Sequence, residues 1–300
     1  MRGILARRKV NRNNGGCLPS VSSAFDDLRA ELEKLANPAK AEHLRRFFKT
    51  TPGSYGEHDR FLGITVPEIR KLAKKYKLLH LNELAILLKS KFNEERLFAL
   101  FILRFQYENA EFSPTLQIGS ESTLPLGDQP LAFPDFTEEH CNSTEGMRQK
   151  DLVNFYINYI DFVNNWNLVD SSAPYIIGDF STKTDTDTLF FLVKSQNMWH
   201  RRVAVVASHA FIKQRRYDVT LHFAELLLND PHDLMHKAVG WMLREVGKRD
   251  KGVLCAFLEQ FATKMPRTML SYATEHFDKE AKKRIYTGAP KDCGPEKEES

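Results

Sequence analysis

One carboxylate lies on an otherwise apolar helical stripe. Val163, Trp166, Asp170, Ala173 and Ile177 recur at spacings of three and four residues, the period of one helix face. A carboxylate on such a face is unfavourable unless it is paired or serves a purpose, so Asp170 is a candidate catalytic group. Trp166 precedes it by one turn on the same face. The structural alternative is that Asp170 caps the following Ser-Ser-Ala-Pro segment or forms a local salt bridge.

A guanidinium occupies a comparable position on a second predicted helix. Trp199, Arg202, Val206 and Ala210 share one stripe there. Arg is the usual side chain for a bidentate phosphate contact, so Arg202 is a candidate for that role. The alternative is a structural partnership with an Asp. Arg201 falls on a different face and is expected to be solvated.

A third predicted helix carries Leu234, Ala238, Trp241 and Glu245 on one stripe. A buried Trp in the core is the simple explanation for Trp241. However, all three Trp residues of the chain stand at comparable places on successive helical units. This placement favours two of them lining a surface.

Motifs of several other chemistries are missing from the sequence. It has no GxGxxG, Walker A, HExxH or GxSxG pattern. His232, Asp233 and His236 form a local cluster that could bind a metal, but no third ligand is evident nearby. We therefore expect neither a cofactor nor a metal, and we expect His236 to pack or to contact a phosphate.

Composition and charge restrict the class of protein. The chain has 300 residues, of which 42% are hydrophobic and 27% charged, as in soluble globular proteins. Its apolar runs are far shorter than the roughly 18 residues of a membrane span. Residues 108–147 hold eight acidic residues and no Lys or Arg, and without them the net charge of +4 becomes +12. Such a basic body indicates an anionic partner, such as nucleic acid or an acidic surface, or simply a solvated basic surface.

The elements that must position these residues are predicted to be helices. From about 24 to 286 one helical pattern follows another, and no stretch alternates long enough for a strand. Antiparallel pairs of about 35–45 residues fit an all-α fold, an α-solenoid superhelix of HEAT-like repeats with a concave groove. An irregular helical domain is the alternative. After the acidic segment, helices are predicted near 149–162, 163–177, 185–195, 199–213, 217–228, 232–247, 251–262 and 267–285.

Three segments are expected to lie outside the helical body. Residues 1–23 are basic, lack acids and should form a disordered extension, whose composition also resembles that of an organelle transit peptide. Residues 108–147 are acidic and contain several prolines, which predicts a disordered insertion. Residues 287–300 should form a flexible tail.

Five blocks of the chain resemble the AlkD-like family of DNA alkylation repair glycosylases. In order they are GEHDRFLGITVPEIRKLAKKY (56–76), VNNWNLVDSSAPYIIG (163–178), SQNMWHRRVAVVASHAFI (195–212), HDLMHKAVGWMLREVGK (232–248) and MPRTMLSYATEHF (265–277).

The resemblance implies a HEAT-like repeat glycosylase domain over 24–286 that holds duplex DNA in its concave face. The family's catalytic Asp corresponds to Asp170, its two aromatic residues at the lesion to Trp166 and Trp241, and its backbone-contacting Arg to Arg202. Further DNA contacts are expected from Arg201, Lys237, Arg244 and Lys248.

It also implies the reaction. A monofunctional glycosylase would release cationic 3-methyladenine and 7-methylguanine from duplex DNA without base flipping, and without a lyase step because no Schiff-base Lys is implied. The expected partner is double-stranded DNA with alkylated purines, bound by a monomer with no membrane association. The expected location is the cytoplasm or nucleoid of a bacterium, or the nucleus or an organelle of a eukaryote. A non-catalytic binder of damaged or branched DNA and a protein-interaction scaffold remain alternatives.

Overall fold

A computed structural model describes residues 23–112 and 148–287. Within these residues the chain is mostly helical and forms no strand. Two isolated bridges, between Arg60 and Phe92 and between Glu111 and Arg148, are the only β-type pairings in this part of the chain. The prediction of an all-α fold is confirmed.

The described helices are α1 (Ser23–Leu35), α2 (Pro38–Phe47), α3 (Val66–Lys75), α4 (Leu81–Leu88), α5 (Asn93–Asn109), α6 (Gln149–Asn158), α7 (Trp166–Ser172), α8 (Asp179–Lys183), α9 (Asp187–Leu192), α10 (Met198–Ala207), α11 (His209–Lys213), α12 (Asp218–Leu226), α13 (Asp233–Gly247), α14 (Lys251–Phe261), α15 (Arg267–Ala273) and α16 (Lys279–Tyr286). A 3₁₀ turn spans Ile160–Phe162, and a π-helical turn spans Pro174–Gly178.

Local sequence signals begin several of these helices. Before α3, the Thr65 backbone N–H donates to the Glu68 carboxylate at 2.9 Å in a capping box, and a proline occupies the first turn. Before α14, the Asp250 side chain accepts from the Val253 backbone N–H at 2.9 Å. Asp278 caps α16 in the same way, at 2.7 Å from the Ala281 nitrogen.

The helices stack in the manner of a solenoid. α3, α5, α7, α10, α13 and α15 pack side by side in that order and form an inner ladder. Outer helices pack against them, α4 and α6 on α5, α9 on α10, and α12 and α14 on α13. A single hydrophobic core runs between the two layers and includes fully buried Phe98, Phe155, Phe211 and Phe223. This is the α-solenoid architecture expected from the helical pairs.

Three predicted helices are shorter than the sequence pattern indicated. The predicted helix over 163–177 begins only at Trp166, which Asn165 caps, and becomes a π turn at Pro174, because proline has no N–H to continue the α-helical pattern. The helix predicted over 199–213 breaks at Ser208, whose hydroxyl donates to the Val205 carbonyl at 2.7 Å. The helix predicted over 267–285 is two helices, α15 and α16.

The boundaries of the acidic insertion also differ from the prediction. Glu108 lies within α5, where it pairs with Arg104 at 2.7 Å. The Glu111 carbonyl accepts from the Gln149 backbone N–H at 3.1 Å, so the chain leaves and re-enters the helical body at neighbouring points. Residues 108–112 therefore belong to the body. The predictions for the basic extension, the rest of the insertion and the C-terminal tail fall on 1–22, 113–147 and 288–300, which lie outside the described residues.

No described helix is long and apolar enough to span a membrane.

Candidate active site and nucleic-acid interface

Asp170 and Arg202 form a bidentate ion pair between neighbouring inner helices. The Arg202 Nη2 lies 2.9 Å from one oxygen of Asp170 and 3.0 Å from the other, and Nε lies 3.1 Å from the latter. The remaining nitrogen, Nη1, donates to the Leu234 carbonyl at 2.8 Å in the first turn of α13. Arg202 therefore joins α7, α10 and α13 at a single point.

The two charges of this pair differ in exposure. The Arg202 side chain is only 6% exposed, whereas that of Asp170 is 21% exposed. The guanidinium thus lies behind the carboxylate, which keeps an accessible outer edge. Burial raises the pKa of Asp170 above its ordinary value, and the attraction of Arg202 opposes that shift.

This geometry favours one of the alternatives that the sequence left open for Arg202. Its guanidinium is the structural partner of an Asp, and Asp170 does form a local salt bridge. A phosphate contact by Arg202 stays a prediction, but the buried, fully engaged side chain does not support it. The salt bridge does not remove Asp170 from consideration, because its outer edge remains accessible.

An aromatic stack supports Trp166 at the start of α7. Phe48 stacks on the Trp166 ring with centroids 4.9 Å apart and an angle of 14° between the planes. Phe61 stacks on Phe48, also at 4.9 Å, and Phe47 meets Trp166 edge-on at 5.8 Å. Trp166 is half-buried and Phe47 is exposed. One face of the indole is therefore held by protein, four residues before Asp170 on the same helix.

A buried polar network fixes the first turn of α7. The Asn165 side chain is fully buried, and its carbonyl oxygen accepts from the Trp166 backbone N–H at 2.7 Å. Its amide group donates to Asp59 at 2.6 Å. Asp59 also accepts from Asn93 at 2.9 Å and pairs with Arg96 on α5. These hydrogen bonds fix Asn165 relative to α5, although the buried Nε of Arg96 has no partner, and the turn that Asn165 caps carries Trp166 and Asp170.

Trp241 lies on the inner ladder but not beside Asp170. It follows Leu234, the residue that Arg202 contacts, by two turns of α13, or roughly 10 Å along the helix axis. Its ring is half-buried and lies 6.4 Å from the His209 ring. Burial lowers the pKa of His209 below its ordinary value, so this neighbour is a neutral imidazole at pH 7. Trp166, Trp199 and Trp241 are all half-buried, so the expectation that two of them line a surface stays a prediction.

Arg201 is not solvated, contrary to the expectation from its helix face. Its side chain is buried and its Nε donates to Asp230 at 2.7 Å. Nη1 donates to the carbonyls of Ser195 and Gln196 at 2.8 and 2.9 Å. A DNA contact by Arg201 stays a prediction without support from this position.

The other three predicted DNA contacts are partly exposed cations that already have acidic neighbours. Lys237 pairs with Asp233 at 2.8 Å, Lys248 pairs with Glu245 at 2.7 Å, and Arg244 pairs with Glu275. Glu245, the polar member of the third stripe, is itself nearly buried. To contact a phosphate, each cation must share or leave its carboxylate, so these roles also stay predictions.

The His232 and His236 cluster has a structural use. The His236 Nε2 lies 2.6 Å from the Asp230 carbonyl, and the His232 Nδ1 lies 3.3 Å from the Asp230 carboxylate. Within the described ranges, no group of three His, Cys, Asp or Glu side chains is arranged to hold a metal ion.

Sequence reasoning missed the residues that support the site. Asn165 lies next to Asn164 and Asp59 lies between His58 and Arg60, so neither stands out from its polar sequence neighbours and no sequence signal identified them. Phe48 also escaped notice, because adjacent Phe residues in a predicted helix are typical of an ordinary hydrophobic core. Its stacking on Trp166 follows only from the fold of the 48–65 segment.

Comparisons with known proteins agree with this fold and give the family. The sequence model of a family described as DNA alkylation repair enzyme matches residues 28–277, so the chain belongs to that family. Among solved structures, a predicted DNA alkylation repair enzyme from Enterococcus faecalis matches with a TM-score of 0.55 and 15% sequence identity. The match covers 81% of this chain and 97% of that one. At this identity the likeness concerns the fold. Among curated proteins, none matches.

Proposed function

We propose that this chain is a DNA glycosylase that hydrolyses the N-glycosidic bond of cationic alkylated purines in duplex DNA. Its substrates are 3-methyladenine and 7-methylguanine, which it releases without flipping the base and without a lyase step. The family supplies the coarser part of this statement, a DNA alkylation repair enzyme. The chemistry rests on the residues around Asp170.

The observation that carries the proposal is the partly exposed carboxylate of Asp170 above a buried guanidinium. A partly exposed carboxylate held by a buried guanidinium can face a cation that approaches from solvent without moving first. Here one edge stays open on the ladder face that also carries Trp166. Because Arg202 holds the carboxylate at two points, its position is set before substrate binds.

The reaction matches what such a group can do. A purine alkylated at N3 or N7 is positively charged and departs as a neutral base, so it needs no general acid. The sugar left behind becomes oxocarbenium-like, and a fixed carboxylate stabilises that cation and positions the attacking water. Preorganised electrostatic groups of this kind contribute typically about 3–4 kcal/mol. The Trp166 and Trp241 faces near a cationic lesion add roughly 0.5–2 kcal/mol each.

The test is release of the modified base. Duplex DNA treated with a methylating agent is incubated with wild-type protein, with the Asp170→Asn variant and without protein, and free 7-methylguanine and 3-methyladenine are quantified. We expect release above the spontaneous rate only with the wild type. Tight binding of the methylated duplex with no release would instead support a non-catalytic binder of damaged DNA.

A lesion panel tests the mechanism. Without a general acid, neutral lesions such as uracil, 8-oxoguanine and 1,N6-ethenoadenine should leave poorly, because each 1.36 kcal/mol of barrier costs tenfold in rate. Single-turnover excision at neutral pH should therefore be confined to cationic bases. Efficient release of a neutral base would contradict the mechanism.

A further inference from the structure

A basic cavity lies at the C-terminal end of the inner ladder, between α15 and α16. Its volume is about 700 Å³. Four cationic side chains and four hydroxyl-bearing ones line it, and no carboxylate does; they are Arg267, Lys279, Lys282, Lys283, Thr268, Ser271, Tyr272 and Tyr286. This composition is that of a site for phosphate oxygens, which accept from cations and hydroxyls.

The cations of this cavity differ from the predicted DNA contacts on α13. Lys237, Arg244 and Lys248 each form an ion pair. Among the described residues, none of the four cations in the cavity pairs with a carboxylate. Within the same residues, their charged groups make one polar contact, from Lys282 to the Glu275 carbonyl at 3.1 Å. Gathering like charges without counter-ions is unfavourable in the free protein, and an anionic ligand removes that cost.

The cavity is continuous with the candidate interface. The Thr268 hydroxyl donates to Asp233 at 2.8 Å, and Asp233 is the partner of Lys237 on α13. α13 and α15 approach closely at Gly240, where a β-carbon would come within 2.6 Å of the Tyr272 β-carbon. Tyr272 lines the cavity, and Gly240 precedes Trp241. The cavity is thus the next step of the ladder beyond Trp241.

We propose that this cavity binds the phosphate backbone of the duplex on one side of the lesion. The proposal rests on the proposed function for its lesion at Asp170. α15 is three ladder steps from α7, or roughly 24–30 Å at usual interhelical distances. The proposal places the duplex axis along the inner ladder, so that at about 3.4 Å per base pair the contacted phosphates lie about 7–9 base pairs from the damaged base.

The double variant Lys279→Gln/Lys283→Gln tests this contact, since both side chains are exposed and their loss should leave the fold intact. The matched control, Lys194→Gln/Lys264→Gln, removes the same two charges from turns that follow the outer helices α9 and α14. Binding is measured against salt on three 24-base-pair duplexes with a non-hydrolysable cationic lesion analogue, placed centrally or five base pairs from either end. An undamaged duplex of the same length is the fourth ligand.

On the central lesion and on undamaged DNA, the cavity variant should flatten the slope of log K against log salt by up to about 1.8, and the control should match the wild type. In one of the two off-centre duplexes, the short arm of five base pairs points toward the cavity and ends before reaching it. On that duplex the cavity variant should bind like the wild type. An unchanged slope on every duplex would overturn the proposal and favour an acidic protein as the ligand. An equal loss of slope on all three lesion-bearing duplexes would refute the proposed distance between the cavity contact and the lesion. Neither readout needs excision, so failure of glycosylase activity is a separate result.

Discussion

The pairing of Asp170 with Arg202 makes a quantitative prediction for the variant Asp170→Asn. In the transition state, the sugar cation lies about 3.5 Å from the carboxylate, at reacting distance. The guanidinium lies behind the carboxylate, about 7 Å from the same cation. At an effective dielectric constant of about 20, the carboxylate attracts the cation by about 5 kcal/mol and the guanidinium repels it by about 2 kcal/mol.

An amide at position 170 removes the attraction and leaves the repulsion. The barrier to excision should then rise by about 5 kcal/mol, which lowers the rate by roughly 10³–10⁴-fold. The double variant Asp170→Asn/Arg202→Gln loses both terms, so its rate should fall only by roughly 10²-fold. The double variant should thus be ~30-fold faster than the single one, although it departs further from the wild type.

The assay is single-turnover release of 7-methylguanine, with the spontaneous rate subtracted. Because removing one partner of a buried pair is destabilising, each rate is normalised to the folded fraction from thermal melts. DNA affinity should be equal or higher in Asp170→Asn, since a carboxylate that faces DNA repels phosphates. Near wild-type excision by the single variant would refute the catalytic assignment. A double variant no faster than the single one would refute the role given to the charge of Arg202.

Three further predictions concern pH, the base and the insertion. Burial raises the pKa of Asp170 above its ordinary value of 3.8, and only the ionised carboxylate is active. The excision rate should therefore fall with decreasing pH at an apparent pKa above 3.8. An acid limb of the pH–rate profile at or below 3.8 would contradict this. A cavity of about 520 Å³ beside Phe48 could hold a flipped base, and the exposed residue Ala39 lines it. The variant Ala39→Trp, which obstructs this cavity, should leave excision within a few-fold, and a large loss in a folded variant would favour flipping. Replacing 113–147 by a short Gly/Ser linker should leave the melting temperature unchanged, because the flanking backbones of Glu111 and Gln149 are hydrogen-bonded at 3.1 Å. DNA binding should be equal or tighter, because six acidic residues are removed with the segment. A fall of many degrees in the melting temperature would mean that the segment is packed against the body.

The helical class and most helix positions could be predicted because apolar spacing reports burial, and burial dominates this fold. The breaks could not. Ser208 ends a helix where its hydroxyl donates to a backbone carbonyl, and Pro174 distorts another helix because it has no N–H to donate. The apolar pattern continues across both residues. The end of α5 was misplaced for a related reason, since Glu108 is acidic like the insertion that follows but pairs within the helix.

The candidate site was predictable in part. A lone carboxylate on an apolar stripe identified Asp170, and the same signal identified Arg202. That the two are each other's partner could not be read from either stripe, because it depends on which inner helices become neighbours. Arg201 shows that the face of a helix does not decide the exposure of a long side chain. Its position predicted a solvated residue, but its guanidinium pairs with Asp230 and is buried.

The spacing of the contacts between inner helices explains why this site depends on the repeat rather than on a local motif. Asp170 and Arg202 are 32 residues apart, and Arg202 and Leu234 are again 32 apart. Arg244 and Glu275 are separated by 31, shorter than the 35–45 residues predicted for a helical pair. Residues 31–32 positions apart therefore meet between successive repeats, and Arg202 links α10 to Asp170 on α7 and to the Leu234 carbonyl on α13. A one-residue insertion within α10, between Arg202 and Val206, would rotate Arg202 by about 100° relative to the buried residues that follow it and move its side chain away from Asp170. The chemistry at Asp170 is thus set by the register of the solenoid.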